Sequence, residues 1–233
     1  MAKIIGILGG MGPEATGDLF WKIIKATPAK KDQDHLRIII DNNPQIPDRT
    51  AAILAGGPDP VPAMVETARN LAGAGAELLV IPCNTAHYYY DRITAALPIP
   101  ILHIVRETAD YVRKKYPAVR TVGLLATTGT IRTRLYHDGL AAAGYTVLTP
   151  PDPVQEEVMA AIYGSDGIKA GHLAGPAEVM RRAAGVLIEA GAEAVICGCT
   201  EIPLVLHDGD IPVPVLDPTA VLAAAAVREA RRE

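Results

Sequence analysis

Short apolar runs alternate along this chain with longer stretches in which Ala, Leu, Ile and Val recur at helical spacing. The runs predict strands at 3–8, 36–41, 77–81 and 99–102, and again at 120–125, 145–148, 193–197 and 213–216. Helical spacing predicts helices over 14–26, 60–74, 104–115, 131–143, 153–163, 176–190 and 218–231, several opened by Pro or Asp. Strands that are apolar throughout, joined by helices, are buried on both faces of parallel sheets. The predicted fold class is therefore α/β.

The pattern also repeats itself. AGAELLVIPC from Ala74 reappears as AGAEAVICGC from Ala190, which sets Cys199 in the place of Cys83. IIGIL centred on Gly6 recurs as TVGLL centred on Gly123, and PIPIL from Pro98 recurs as PVPVL from Pro212. Three offsets of 114–117 residues in a chain of 233 predict two similar lobes related by an approximate two-fold axis. Each is expected to be a mostly parallel four-stranded sheet flanked by helices, with the active site in the cleft between them. The expected division is 1–103 plus 216–233, the last helix packing back on the first lobe, and 104–215 for the second.

Composition narrows the range of partners. With 22 Lys and Arg against 26 Asp and Glu the net charge is −4, so no basic field draws in a nucleic acid backbone. Aromatic residues at 4% leave little for base stacking, which points to small ligands. No run approaches the ~18 apolar residues of a membrane span, and IIGIL runs into GGMGPEA without a signal-cleavage pattern. Three cysteines, at 83, 197 and 199, do not make a paired framework and suit a reducing, cytoplasmic setting. Cys197 lies within a strand and reads as a small buried hydrophobe. Cys197 and Cys199 form only C-x-C, with no second pair at zinc-site spacing, so no metal is called for.

Ligands of open parallel sheets collect beyond the carboxyl ends of the strands, where Cys83 and Cys199 fall. One thiol on each side of a cleft suits racemisation, which needs a base on one face of a carbon and a proton donor on the other. A helix N-terminus can lower a cysteine pKa from its usual ~8.5, giving one thiolate opposite one thiol. Such sulfurs would lie about 7 Å apart around a shared carbon, each within roughly 3–3.5 Å of it.

PCNTAH at 82–87, GCTE at 198–201, GILGGMGPEAT at 6–16 and PDRT at 47–50 together resemble the aspartate/glutamate racemase family over almost the whole chain. The resemblance implies cofactor-independent racemisation of an acidic amino acid, most like aspartate racemase, without pyridoxal phosphate, with glutamate or a broad range of amino acids as the alternative substrates. It also implies that Cys83 and Cys199 are the acid/base pair. Some relatives carry threonine in place of the first cysteine; this chain keeps both. Arg49 in PDRT and Lys169 in GIKAG are implied to grip the substrate carboxylates, Met11 to line the pocket, and the protein to form a homodimer.

Asn84, Thr85 and Thr200 come directly after the cysteines and could offer donors at helix starts, while Thr127 and Thr130 in ATTGT occupy the second half's equivalent of GGMG, with helix capping as the competing role. Asp48 and Glu201, beside Arg49 and Cys199, are open between structural and tuning roles.

Other classes fit less well. His87 and His103 raise Cys–His nucleophilic catalysis, but a hydrolase of that kind leaves the second cysteine unexplained. Gly10, Gly12 and Ala15 match G-x-G-x-x-A and Asp41 ends the second strand, as in dinucleotide sites. Glu14, however, puts a negative charge where a pyrophosphate would sit. A non-enzymatic amino-acid-binding protein would also want Arg and Lys in a cleft, but it does not require paired thiols.

Overall fold

The structure is a computed structural model of the chain and describes residues 2–232. It divides into two compact units. One runs up to Glu107 and takes in the C-terminal stretch from Thr219, and the other is Thr108–Pro218.

In the first unit the order is β1 (Ile5–Gly9), α1 (Pro13–Ala26), β2 (Ile38–Asn42), α2 (Arg49–Ala55), α3 (Val61–Gly73), β3 (Leu78–Val80), α4 (Tyr90–Thr94) and α5 (Ile104–Lys115), whose last residues enter the second unit. The strands pair in parallel in the order β2-β1-β3, with Ile5 opposite Ile38 on one side and Leu78 on the other. The second unit holds β4 (Thr121–Leu125), α6 (Thr128–Arg132), α7 (Leu135–Ala141), β5 (Thr146–Leu148), α8 (Asp152–Tyr163), α9 (Ala174–Glu189), β6 (Ala194–Cys197) and β7 (Val215–Leu216). Helix α10 (Pro218–Ala230) returns to the first unit. The second sheet is also parallel, in the order β5-β4-β6-β7. Both sheets are flanked by helices, as the alternating pattern predicts.

The first sheet has three strands where four were expected. Residues 99–102 contribute a single parallel bridge between Leu79 and Ile101. Pro100 O accepts from Leu79 N–H at 2.9 Å and Leu102 N–H donates to Leu79 O at 3.0 Å, the two bonds of that one bridge, and Pro100 has no N–H with which to extend the ladder backward. The matching PVPVL run keeps a strand of two residues, held by Val195 N–H to Pro214 O at 2.9 Å.

The internal repeat is a repeat of contacts. Gly75 and Gly191 end their helices with φ of 100° and 101°. The Glu77 carboxylate accepts from Ile4 N–H at 2.8 Å, and that of Glu193 accepts from Thr121 N–H at 2.8 Å. Gly6, in mid-β1, lets β3 and the end of α3 close onto the strand: a methyl there would lie 2.5 Å from Leu79 Cδ2, 2.9 Å from Ala76 Cβ and 3.4 Å from Leu71 Cβ. At Gly123 in β4 the corresponding close neighbours are Leu187 and Ala192, at 3.0 and 3.2 Å. Small residues at these positions are what bring helix and strand so near.

The predicted helix 131–143 is two helices. Arg134 adopts a left-handed backbone, φ 56°, which ends α6 and starts α7 in a new direction. Helices α2 and α4 are too short for the hydrophobic period to reveal. No helix among the described residues is long and apolar enough to cross a membrane.

Candidate active site

Each unit gathers chemistry beyond the carboxyl end of its strand next to the central one. In the first, β3 leads to Cys83, whose N–H donates to Ile81 O at 2.8 Å. The thiol is buried in an apolar cluster with Met11, Ile46, Ala86 and Tyr89. Cys83 and Met11, far apart in sequence, are thus brought together. Met11 sits in a loop shaped by Thr16, whose hydroxyl accepts from Gly10 N–H and donates to Gly12 O, both at 2.9 Å. Gly10 needs its glycine, with φ 95° and the Asn43 carbonyl carbon 2.2 Å from where a Cβ would stand. The first N–H of the G-x-G-x-x-A loop is thereby already engaged, which weighs further against a dinucleotide there.

Arg49 joins this group. It opens α2, capped by Asp48, whose Oδ1 accepts from Ala51 N–H at 2.7 Å. This gives Asp48 the role of a helix cap. The Arg49 guanidinium is buried, donating to Pro47 O at 3.0 Å, Ile46 O at 3.3 Å and Met11 O at 3.4 Å. A charged fork is so fixed beside the Met11 loop by neutral carbonyls.

Asn84 and Thr85 are buried, and the segment they open starts as a 3-10 turn, Thr85–Tyr89, that runs directly into α4. The second cysteine likewise leads into a 3-10 turn, Ile202–Leu204. A turn of three residues carries too few aligned peptides to act as the expected helix dipole on Cys199.

His87, four residues beyond Cys83, is buried and bonded to backbone. Its Nδ1 lies 2.9 Å from Cys83 O, while Ile104 N–H donates to its Nε2 at 3.2 Å. An N–H aimed at Nε2 makes that nitrogen the acceptor, so Nδ1 carries the proton and donates to the Cys83 carbonyl. Burial pushes its pKa down to about 4, against the raising effect of the backbone carbonyl of Cys83. His87 therefore holds the cysteine's backbone and does not address its sulfur, in keeping with its place one turn beyond Cys83.

In the second unit, β6 leads through Gly198 to Cys199, which packs with Cys197, Ile168, Ile202 and Leu206. Cys197 is fully buried core, as predicted. Cys199 Sγ donates to Glu201 Oε2 at 2.9 Å, and Lys169 Nζ meets the other oxygen, Glu201 Oε1, at 2.5 Å. Thr200 is buried and its hydroxyl donates to Oε2 at 3.3 Å. Burial first, then the Glu201 charge, raises the Cys199 pKa well above the usual thiol range, with Lys169 pulling the other way. Of the expected thiolate and thiol, Cys199 in this structure is the thiol, a proton donor.

Lys169 sits in the turn Ile168–Ala170, its ammonium 5.4 Å from the centre of the Tyr163 ring. Thr127 and Thr130 are buried at the start of α6. Thr127 Oγ1 accepts from Thr130 N–H at 3.2 Å, and the two hydroxyls are 3.1 Å apart, so capping is the role seen. Among the described residues, no three His, Cys, Asp or Glu side chains come together as metal ligands.

This arrangement has known counterparts. Residues 8–226 match the family described as Asp/Glu/Hydantoin racemase. The chain is 31% identical over 230 residues to the broad specificity amino-acid racemase RacX of Bacillus subtilis (strain 168), covering 96% of each. Among solved structures it is similar to Picrophilus torridus aspartate racemase, with a TM-score of 0.88 and 29% identity over 99% of this chain and 95% of that one. An aspartate racemase homologue from Pyrococcus horikoshii OT3 superposes with a TM-score of 0.78 at 27% identity, the whole of both chains covered. With its two thiol-bearing strand ends, its two parallel sheets and a match that runs nearly end to end, the chain belongs to the Asp/Glu/Hydantoin racemase family.

Proposed function

We propose that this protein racemises an acidic amino acid, with aspartate the preferred substrate, by proton transfer between two thiols and without a cofactor. The observation that carries the reading is the duplicated strand-end cysteine, buried in each unit at the same point of the repeat, with Arg49 near one and Lys169 near the other.

One sulfur, as thiolate, takes the hydrogen from Cα and leaves its electron pair on the carbon, delocalised into the α-carboxylate. The other, as thiol, gives a proton to the opposite face. The substrate comes away inverted, with the two sulfurs in exchanged protonation states. Arg49 binds one carboxylate through its fixed fork and Lys169 the other, since two buried carboxylates demand cationic partners. Met11, Asn84, Thr85 and Thr200 line the substrate in this reading. Thr127 and Thr130 support the loop beyond β4.

The likeness to RacX supports a second reading, a racemase of broad amino-acid specificity. Chiral chromatography of the purified protein with a panel of L-amino acids separates the two. Turnover confined to aspartate and glutamate supports the first, turnover of neutral or basic amino acids supports the second, and no turnover of any amino acid removes both.

A further inference from the structure

We propose that Met159 is the specificity-determining residue of the second unit, a positioning residue that sets, through Thr128, how far the loop beyond β4 stands from Lys169. The inference rests on the racemase reading above, in which Lys169 holds a substrate carboxylate. It carries that reading on to the choice between aspartate and the longer glutamate.

One face of α8 carries Gln155, Met159 and Tyr163 at four-residue spacing, so the three side chains stand in a row along the helix. Each holds a different group. Gln155 is buried, and its Nε2 donates to Ala126 O at 3.0 Å and to Thr128 Oγ1 at 3.2 Å. Thr128 N–H donates to Met159 Sδ at 3.2 Å. The centre of the Tyr163 ring is 5.4 Å from the Lys169 ammonium. What the row holds adjoins Cys199 by two routes. Leu125, just before the loop, pairs with Cys197 across the sheet, and Gly198 N–H donates to Leu125 O at 2.7 Å. Lys169 is ion-paired with Glu201, and Ile168 beside it packs in the same cluster as Cys199.

A substrate with its Cα at Cys199 and a carboxylate on Lys169 lies along the loop 126–128, and the gap between loop and lysine limits its length. Gln155 fixes the start of the loop through the Ala126 carbonyl. Thr128, further along, depends for its N–H on a thioether, a weak acceptor on a flexible, unbranched side chain. That contact sets the gap, and a single substitution can release it without emptying the core. One methylene separates glutamate from aspartate, a difference that a fitted pocket turns into roughly 10- to 200-fold discrimination.

The experiment gives the full chain L-aspartate and L-glutamate together and separates the D-products by chiral chromatography. With both substrates in one vessel the product ratio reads relative kcat/KM. Any unfolded fraction cancels from it, so a merely structural role would not move the ratio. Native protein must first racemise these amino acids; if it turns over neither, the function proposed above fails, and this inference with it. Met159→Leu keeps the volume and removes the acceptor. The aspartate-to-glutamate ratio is expected to fall at least about tenfold, the lower end for one methylene. Met159→Gln, similar in length and with an oxygen to receive Thr128 N–H, should bring the ratio most of the way back. Glu156→Ala, an exposed change on α8 outside the row, should leave it native. A native or raised ratio in Met159→Leu, no return with Gln, or an equal fall in Glu156→Ala would each overturn the proposal.

Discussion

His87 Nδ1 donates to the backbone carbonyl of Cys83 across 2.9 Å, so the ring nearest the first thiol in sequence grips the main chain and leaves the sulfur to other work. With Ile104 N–H bonded to the opposite ring nitrogen, one side chain ties the cysteine loop to the first turn of α5. Replacing His87 by Ala strands a buried carbonyl and a buried N–H, each costing about 1–3 kcal/mol. Urea unfolding should show that loss. Racemisation should fall mainly in kcat, because the loop that aims Cys83 is loosened while the cations remain.

The same ring gives stability a pH dependence of known sign. Its folded pKa of about 4 lies below the ordinary 6.5, so the unfolded chain binds the proton more readily. The contribution is whole above pH 6.5 and is lost as pH falls toward 4, at up to about 1.4 kcal/mol per pH unit. His103, its ring 4.9 Å away and its pKa pushed to about 3 by burial and by His87, acts in the same direction. Urea midpoints taken from about pH 7 to about pH 4 should decline in native protein and decline less steeply in His87→Asn.

Close approach at the central strands predicts intolerance of a single methyl. Gly6→Ala should cost about 1–3 kcal/mol, as overpacking does. Gly10→Ala should cost more, since it meets backbone at 2.2 Å and must also hold φ at 95°. Thermal melts of the two variants beside the native protein test the ranking.

Cys83→Ser and Cys199→Ser should melt like native protein, both side chains being small and similar in shape, yet neither should interconvert aspartate enantiomers. A double variant that still racemised would end the thiol mechanism.

Arg49→Lys keeps the charge but loses the fork that three carbonyls now orient. Losing a charge-assisted hydrogen bond to substrate is worth about 1.5–3 kcal/mol, roughly ten- to hundredfold in KM. A steady-state titration with aspartate reads it directly, and an unchanged KM would place substrate binding elsewhere.

Much of this was legible in the sequence because the decisive signals were local. Continuous apolar runs marked β1, β3, β4 and β6, and the repeat of AGAE with its apolar strand paired Cys83 with Cys199 from the residues alone. What escaped depended on contacts between distant residues or on single backbone angles. The break at Arg134 leaves no mark in a helical period. The capture of Lys169 by Glu201, 32 residues on, is invisible to spacing, as is the hold of His87 on Ile104. Which thiol keeps its proton was open for the same reason: at Cys199 a short turn stands where a helix was expected, and burial together with a carboxylate two residues away holds the proton on sulfur.

The prolines that cut short the outer run of each sheet have a result for how copies of the chain can meet. A border only one or two pairings long offers no template on which a foreign strand could grow. Self-association by ribbon extension, the usual hazard of open parallel sheets, is closed off at those margins, so any assembly that uses them must be built from side-chain surfaces.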